Sequence, residues 1–409
     1  FTDGVQFDAD VCLKNIERWG HGITSTYTTL SIEKSLPNLD KMEKVDDFTV
    51  KFTFTQPITT LEYVLSDYGS PMYSPNCFDE ETGVISDYAI GTGPYKIVDH
   101  VESEYVTLER NDNYYGENGK VKTFKIRCIP DAETRVSALK SGEVMGLADN
   151  GAITMDAAKN LCDTDSSFEM DSTPSHMTEY IMFNDKNEYL ADKRMREAFN
   201  LATDRDSICS VIYGGLLQPA YSFLSTQSTF HLDIQGTYDM EQAKALAKEV
   251  LGDKTVDMTM IIRSSTASDY NCKAVAEYLK QVYAELGVNI NIEIVDSSLY
   301  KERQQEGTYD MTLTVFGINN ADSTFKQYFA SEGNSNKTLN YNYYNEKIDE
   351  LVAKAPTIAD VEERSKIYDE IQQELFDDSA CVPICYQINV NIHNKAITHY
   401  AGKTFGVGL

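Results

Sequence analysis

Residues 91–149 decide the fold: GTGPYKIVDHVESEYVTLERNDNYYGENGKVKTFKIRCIPDAETRVSALKSGEVMGLAD. A Gly/Pro turn opens this block, and the alternation of apolar and polar residues over 95–100 and 105–110 predicts two strands that pair as a hairpin. A turn rich in Asn and Tyr and a further strand follow. Asp131 is then the predicted N-cap of a helix that ends at Gly142. The block contains no catalytic motif, which indicates a scaffold.

Size and charge limit the classes of function. A chain of 409 residues that is 42% hydrophobic can bury two sizeable cores, which favours two lobes over one. Asp and Glu total 64 against 36 Lys and Arg, so the formal net charge is -28. Such a field repels phosphate backbones and anionic lipid headgroups, which argues against binding to nucleic acid or to membranes through basic patches. Cationic or zwitterionic ligands are better tolerated, although an acidic surface also serves solubility alone.

Cysteine spacing and apolar runs exclude two further classes. The eight cysteines include no CxxC pair and the six histidines are dispersed, so no zinc or iron–sulfur framework is predicted. No apolar run reaches the length of a membrane span. The chain begins at Phe1 without an initiator Met or the charged and apolar regions of a leader. We therefore expect a removed leader or a shortened sequence, and membrane attachment only through that leader or a lipid anchor.

Four pieces of the first block occur in an order that resembles the family-5 extracellular solute-binding proteins of ABC importers, which capture peptides, nickel complexes and some sugars. They are GTGPY (91–95), LERNDNYYG (108–116), IPDAETR (129–135) and ALKSGEV (138–144). The opening FTDGVQFDADV (1–11) also resembles the family pattern F-x-D-G-x-x-F-x-A-x-D-V. Because a further segment normally precedes that pattern, the resemblance implies that the start of lobe one is missing.

The resemblance implies an α/β, two-lobed, periplasmic-binding-protein-like fold of type II, in the large cluster with an extra subdomain and with a hinge between the lobes. A second similar block, TEYIMFNDKN onward from Thr178, begins with the strand that the family uses to cross between lobes. We therefore predict lobe one at 1–183, lobe two at 184–384 and a return to lobe one at 385–409. Alternating helices and strands predict a mainly parallel sheet in lobe two.

Three finer predictions in the second half of the chain concern single elements. Residues 163–175 are expected to link the two lobes without regular structure. Residues 206–213 are predicted to form one helix that Gly214 ends, and 271–286 a long amphipathic helix that Gly287 ends.

The sequence does not support an enzymatic function, because known catalytic motifs are absent from it. The sequence has no G-x-S-x-G elbow, no H-E-x-x-H helix and no phosphate-loop ending after its GTG. Its acidic pairs lie on predicted helix surfaces, which argues against a two-carboxylate glycosidase. We therefore expect no catalytic residue, no metal ligand and no cofactor, and a protein that is not an enzyme.

The first candidate for ligand recognition is Arg110, at the end of a strand just before the Asn-rich turn. Its guanidinium could form a two-pronged bond to a ligand carboxylate, and the resemblance implies that role in the nickel-binding branch of the family. The alternative is an internal salt bridge that holds the turn. Tyr95 accompanies Arg110 as a wall residue of the site or as ordinary packing.

The second candidate is the segment VFGINNADSTF, residues 315–325. Relatives often have W-[GC]-x-D-Y-x-[DE]-P here, so the resemblance implies that Phe316 replaces a wall aromatic, Asn319 and Asn320 line the pocket, and Asp322 pairs with a ligand amino group. An Asp after a parallel strand points towards the crevice where such sheets bind ligands. The alternative for Asp322 is the N-cap of a helix at 323–330.

A peptide is the first expected ligand, because Arg110 and Asp322 could read opposite ends of a zwitterion. A nickel or other metal chelate is the alternative within the family, although the Arg and His of the nickel branch have no counterparts here. Sugars come third, since Trp19 is the only Trp and lies in a packing helix. The implied partners are ABC permease subunits, outside the cytoplasm, with the binding protein monomeric. A sensing receptor without transport, and a hydrolase, are the rivals from other classes.

Overall fold

The computed structural model forms two compact units, Phe1–Pro130 and Asp131–Leu409. It describes residues 1–21, 31–56, 58, 61–66, 70–147, 151–317 and 321–398. The lobe limits predicted at 183/184 and 384/385 stay a prediction. In the structure, Phe183 is the last residue of a long strand, and residues 384 and 385 lie within another.

The first unit contains a helix-covered hairpin and a separate three-stranded antiparallel sheet. Its elements are α1 Ala9–Trp19, α2 Ile32–Ser35, β1 Leu39–Asp46, β2 Thr49–Phe54, α3 Leu61–Leu65, a 3-10 turn Pro75–Cys77, β3 Tyr95–Val101, β4 Tyr105–Arg110 and β5 Thr123–Arg127. The side chain of Asp8 caps α1 as its position in the sequence predicts, accepting from the backbone N–H of Val11. Buried Ile16 and Trp19 on α1 pack with Leu36 to form the core of this unit.

The hairpin predicted from residues 91–149 is confirmed. Strands β3 and β4 pair antiparallel from Tyr95 opposite Arg110 to Val101 opposite Tyr105, and β5 joins on the far side of β4. The connecting turn places Ser103 at a φ of 62°, a left-handed conformation that non-glycine residues seldom adopt.

The second unit holds the remaining elements. They are α4 Ala132–Ser141, β6 Gly146–Leu147, α5 Met155–Thr164, β7 Phe168–Phe183, α6 Lys193–Ala202, α7 Arg205–Ser207, a π-helix Ile208–Ile212, β8 Gln218–Pro219, α8 Met240–Leu251, β9 Val256–Arg263, α9 Ser264–Asp269, α10 Cys272–Ala284, β10 Val288–Val295, α11 Ser297–Glu306, β11 Met311–Gly317, α12 Ala321–Tyr328, α13 Asn334–Thr338, α14 Glu346–Lys354, a 3-10 turn Ala355–Thr357, α15 Val361–Asp377 and β12 Cys381–Asn394. Helix α4 has the predicted ends: Asp131 accepts from Thr134 N–H, and Gly142 closes the helix at a φ of 77°.

A seven-stranded sheet organises the second unit in the order β10-β9-β11-β7-β12-β6, with β8 paired to β12. Strand β9 pairs parallel with β10 and β11, whereas β7 pairs antiparallel with both β11 and β12. The prediction of a mainly parallel sheet therefore fits β9, β10 and β11 but is wrong for the rest of the sheet, where the strands pair antiparallel. Helix-covered crossovers indicate parallel pairing locally, but they do not reveal that β7 and β12 run against their neighbours in the middle of the sheet.

The alternation of β7 divides the apolar side chains of this unit between two cores. Ile181 and Phe183 face the main core, which α6, α8, α10 and strands β9 to β11 complete. Tyr180 and Met182 face the aromatic core, which holds Phe223 and the buried side chains of α12, α14 and α15. Successive residues of a strand point to opposite faces, so one strand anchors both cores. A smaller core packs the far end of β12 against α4 and α5.

Two single-element predictions are wrong. Residues 163–175 are not a linker, because β7 already begins at Phe168. The predicted helix at 206–213 is a single turn, α7, followed by the π-helix. Tertiary contacts outweigh local propensity at both places. The predicted amphipathic helix at 271–286 is confirmed as α10, within two residues at each end.

A buried carboxylate and guanidinium follow the end of β7. Arg196 on α6 is 4% exposed and donates 3.1 Å to Asp378 Oδ2. Asp185 Oδ2 lies 3.7 Å from Arg196 Nη1, too far for a hydrogen bond, and Asp185 Oδ1 has no hydrogen-bond partner among the described residues. Burial raises the pKa of Asp185 to about 7, against the opposing charge of Arg196.

Substitution of Asp185 by Asn is expected to stabilise the protein at alkaline pH. The folded pKa lies above the ordinary value of 3.8, so the folded state binds more protons and the free energy of unfolding falls as pH rises from about 4 to about 7. Asp185→Asn removes this fall, raising the free energy of unfolding by about 1–2 kcal/mol at pH 8 and leaving it unchanged near pH 4, measured by urea unfolding.

Asp192→Asn is the matched control for that experiment. Asp192 pairs with Arg194 at 2.7 Å, and hydrogen bonding to Arg194 lowers the pKa of this carboxyl, so its contribution has the opposite sign. The control variant is therefore less stable than the parent at neutral pH, and the difference disappears as pH falls. Equal responses of the two variants to pH would contradict the assignment of Asp185.

Candidate ligand-binding site

In the first unit, Arg110 closes β4 and its side chain folds over the Asn-rich turn. Its Nε donates 2.8 Å to Asp112 Oδ1, and its Nη1 donates 3.1 Å to the carbonyl oxygen of Gly119. The side chain is 22% exposed. These two contacts are those of the internal salt bridge that the sequence offered as the alternative role. Three of the five N–H groups of the guanidinium are not used by them.

Tyr95, at the start of β3, packs beside the same turn. Its hydroxyl donates 2.8 Å to the carbonyl oxygen of Val121, and its ring lies 4.6 Å from that of Phe124, centroid to centroid. The structure therefore brings Tyr95 and Arg110 together, as cross-strand partners at the same end of the β3–β4 pair. Their roles in ligand binding stay a prediction.

A cavity of about 440 Å³ opens at the other end of this sheet. It is lined by the turn between β3 and β4, the end of β5 and residues 87–89. Neither Tyr95 nor Arg110 lines it.

In the second unit, Phe316 near the end of β11 belongs to a cluster of four aromatic side chains. Its ring is stacked on Tyr328 of α12, with centroids 5.0 Å apart and planes 10° apart. Tyr180 and Phe223 lie at 4.7 Å and 5.9 Å on its other sides. Burial raises the pKa of Tyr328, so its phenol stays neutral. The sequence indicated Phe316 alone, because the other three rings come from distant segments.

Helix α12 begins at Ala321, so Asp322 lies inside its first turn, and the predicted N-cap role for Asp322 is wrong. A carboxylate in the first turn still complements the helix dipole. The side chain of Asp322 is partly exposed, six positions beyond Phe316 in the sequence. Asn319 and Asn320 lie outside the described residues. The ligand-binding roles of these residues stay predictions.

The structure adds one cation that sequence reasoning missed, Arg263. It is exposed at the carboxyl end of β9, in register with Val295 at the end of β10. Its one side-chain hydrogen bond runs 3.4 Å from Nε to Thr266 Oγ1, and no carboxylate of the described residues lies within ion-pairing distance. Ligands of α/β sheets bind beyond the carboxyl ends of the parallel strands, which is where Arg263 lies. The sequence signal was present, an Arg that follows a buried strand.

Two tyrosines interact electrostatically with Arg263. Burial raises the pKa of Tyr270 and of Tyr300, and the positive charge of Arg263 opposes the rise in both. The guanidinium is thus within electrostatic reach of two aromatic side chains. A cation beside aromatic rings can receive a carboxylate while the rings cover the apolar part of a ligand.

Metal clusters and membrane-spanning helices are both absent from the part of the chain that the structure describes. No three His, Cys, Asp or Glu side chains there are placed to hold a metal ion. No helix in the same residues is long and apolar enough to cross a membrane.

Comparison with known proteins shows the family. The sequence model of the bacterial extracellular solute-binding proteins, family 5 Middle, matches residues 1–337. The glutathione-binding protein GsiB of Salmonella paratyphi A (strain ATCC 9150 / SARB42) is 25% identical over 413 residues, which cover 98% of this chain and 78% of that protein. GsiB of Escherichia coli (strain K12) is 24% identical over the same shares. Both relatives are named as binding proteins.

Solved structures show the same fold. DppA, an ABC transporter-associated periplasmic binding protein from Helicobacter pylori in complex with the peptide STSA, has a TM-score of 0.74 at 22% identity, covering 99% of this chain and 80% of that chain. NikA from Brucella suis in complex with Fe(III)-EDTA has a TM-score of 0.82 at 18% identity, covering 99% and 83%. The α/β periplasmic-binding-protein fold expected from residues 91–149 is confirmed. The chain belongs to family 5 of the bacterial extracellular solute-binding proteins, the extracytoplasmic binding components of ABC importers.

Proposed function

We propose that this protein captures a di- or oligopeptide with a free carboxylate and delivers it to an ABC permease, without making or breaking a bond. The observation that carries the proposal is Arg263, a cation at the carboxyl end of a parallel strand with no carboxylate partner in the described residues. An exposed guanidinium in that position suits the carboxylate of a ligand, to which it can donate two parallel hydrogen bonds.

The comparisons also support a peptide as the ligand. One relative is named for glutathione, and one structure of the same fold was solved with the peptide STSA. A metal chelate is the alternative, because NikZ from Campylobacter jejuni, with a TM-score of 0.77 at 22% identity, was solved with Ni(L-His). Chelates also carry carboxylates, so Arg263 suits both ligands. The peptide is preferred because neutral peptide backbone between the termini needs only the hydrogen bonds and aromatic walls that such sites provide.

The absence of catalysis is part of the proposal. Glycosidases need two carboxylates that flank one bond, and nucleophilic hydrolases need a base within hydrogen-bond reach of the nucleophile. The residue assigned to the ligand, Arg263, is a recognition group without acid–base function. A receptor that signals without transport would use the same contacts, and co-purification with permease subunits separates the two.

A ligand panel tests the proposal. We expect isothermal titration calorimetry to detect binding of a tripeptide with free termini, and amidation of its C-terminus to weaken binding by about tenfold or more, because a charge-assisted hydrogen bond is lost. A nickel–histidine complex and a neutral oligosaccharide complete the panel. Binding of the nickel complex alone would favour the chelate, and binding of the oligosaccharide alone would contradict both proposals.

Variants of single arginines test the anchor. We expect Arg263→Gln to weaken binding of the free tripeptide by about tenfold to a hundredfold, and to abolish its advantage over the amidated peptide. Arg194→Gln, which removes an equal charge from an exposed helix position paired with Asp192, is the control and should bind as the parent does. Arg110→Gln tests the sequence prediction in the same assay. A parent-like Arg263→Gln with a defective Arg110→Gln would move the anchor to Arg110.

A further inference from the structure

A carboxyl group without a charged partner lies in the centre of the second unit. Glu179 on β7 is 0% exposed. Its neighbours along the sheet are Cys385 on β12 and Val315 on β11. Like Ile181 two residues later, it points to the main core, where an isolated anion would be costly.

Three polar groups from three other elements reach this carboxyl. Cys272, the first residue of α10, lies with its Sγ 3.1 Å from Glu179 Oε1, and Cys385 Sγ lies 3.1 Å from Oε2. The hydroxyl of Tyr213, which directly follows the π-helix, lies 2.8 Å from Oε2. These are the titratable groups that act on Glu179 in the described residues, and none is a Lys, Arg or His. Burial raises the pKa of Glu179, more strongly than these hydrogen bonds lower it.

The number of protons in this cluster determines which of its hydrogen bonds can form. Tyr213 Oη lies 2.8 Å from Glu179 Oε2 and also 2.7 Å from the carbonyl oxygen of Tyr270. A phenol carries one proton and can donate to only one of these two acceptors. With an ionised Glu179, one oxygen–oxygen contact would be left without a hydrogen atom. With a protonated Glu179, the carboxyl donates to Tyr213 and the phenol donates to Tyr270.

The contact between Gln387 and Cys385 agrees with the protonated form, and the Cys385 thiol also contacts Cys209 of the π-helix. Gln387 Nε2 donates to Cys385 Sγ at 3.4 Å, which leaves the Cys385 thiol to donate to the carboxyl. The hydrogen bonds then run in one direction from Gln387 through Cys385, Glu179 and Tyr213 to the carbonyl of Tyr270. Each proton is used once, and a directed chain of this kind is cooperative.

We propose that Glu179 is held as a neutral carboxylic acid that joins β7, β12, the π-helix and the start of α10, and that its ionisation weakens this junction. The protonated carboxyl supplies the hydrogen atom that the contact between Glu179 and Tyr213 would otherwise lack. A π-turn, which often marks a functional position in a helix, delivers Tyr213 to it. The last acceptor is the carbonyl oxygen of Tyr270, which directly follows α9 and is separated from α10 by one residue, so the chain of hydrogen bonds ends between these two helices.

The sign of the pH effect follows from proton binding. Because the pKa of Glu179 is raised in the folded state above its ordinary value of 4.5, the folded protein binds more protons than the unfolded chain above that pH. The contribution is fully present below about pH 4.5 and is lost as pH rises towards the folded pKa.

Glu179→Gln tests the proposal, because the amide NH2 can donate to Tyr213 as the neutral carboxyl does, although it cannot accept from the Cys385 thiol, and it cannot ionise. We expect the variant to fold, and the ratio of the unfolding constants of parent and variant to rise about tenfold per pH unit over part of the range above pH 4.5. Denaturant unfolding at a series of pH values measures it. Glu169→Gln on the exposed part of β7 is the control and should follow the parent at every pH. A ratio that stays constant with pH would overturn the proposal.

A measurement on the parent protein covers the case in which Glu179→Gln does not fold. Infrared spectroscopy above pH 4.5, and below the pH at which the stability falls, should show the carbonyl-stretch band of a neutral carboxylic acid that moves on selective labelling of glutamate with ¹³C. Labelling of aspartate separates any contribution of Asp185. Absence of a glutamate-dependent band below the pH at which the stability falls would show that Glu179 is ionised, and would overturn the proposal independently of any variant.

Discussion

The antiparallel pairing of β7 with β12 is the constraint on which the second unit depends. These are the two longest strands, 16 and 14 residues, and they pair along almost their whole length. On β7 the alternation of side chains sends Ile181 to the main core and Tyr180 to the aromatic core, so one strand pair holds two cores in a defined register. A slip of one residue would exchange the two faces and move both sets of side chains out of place.

The same strand pair accounts for the position of the functional groups. Tyr180 brings the aromatic core to Phe316 at the end of β11, while the residue before it, Glu179, faces the opposite core. One face of the strand thus contributes to the aromatic cluster and the other carries a buried acid. The parallel strands β9 and β10, on the far side of β11, place Arg263 at their carboxyl edge. The sheet therefore combines an antiparallel centre with a parallel edge, and it is at this edge that we propose ligand recognition.

Sequence reasoning succeeded where the signal is local. Asp8 and Asp131 cap the first turns of their helices and Gly142 closes the last turn of α4, as predicted, because capping depends on a few adjacent backbone groups. It failed for the first half of β7, where polar residues and Pro174 argue against a strand. Pro174 is tolerated there because β11 pairs with β7 only from Met177 onward. In the described residues, Pro174 therefore has no neighbouring strand on the β11 side of β7, where a missing N–H would cost a hydrogen bond.

The sequence by itself determined the family, the α/β class and the absence of known catalytic motifs, because those depend on short motifs and on composition. It also indicated Arg110 and Phe316, each beside a recognisable turn or strand end. Only the tertiary structure decided which charges are paired: Arg110 bonds to its own turn, Arg263 has no such partner in the described residues, and Glu179 lies among thiols and a phenol. Pairing and desolvation depend on residues far apart in the chain, such as Glu179 and Cys385, which no local pattern brings together.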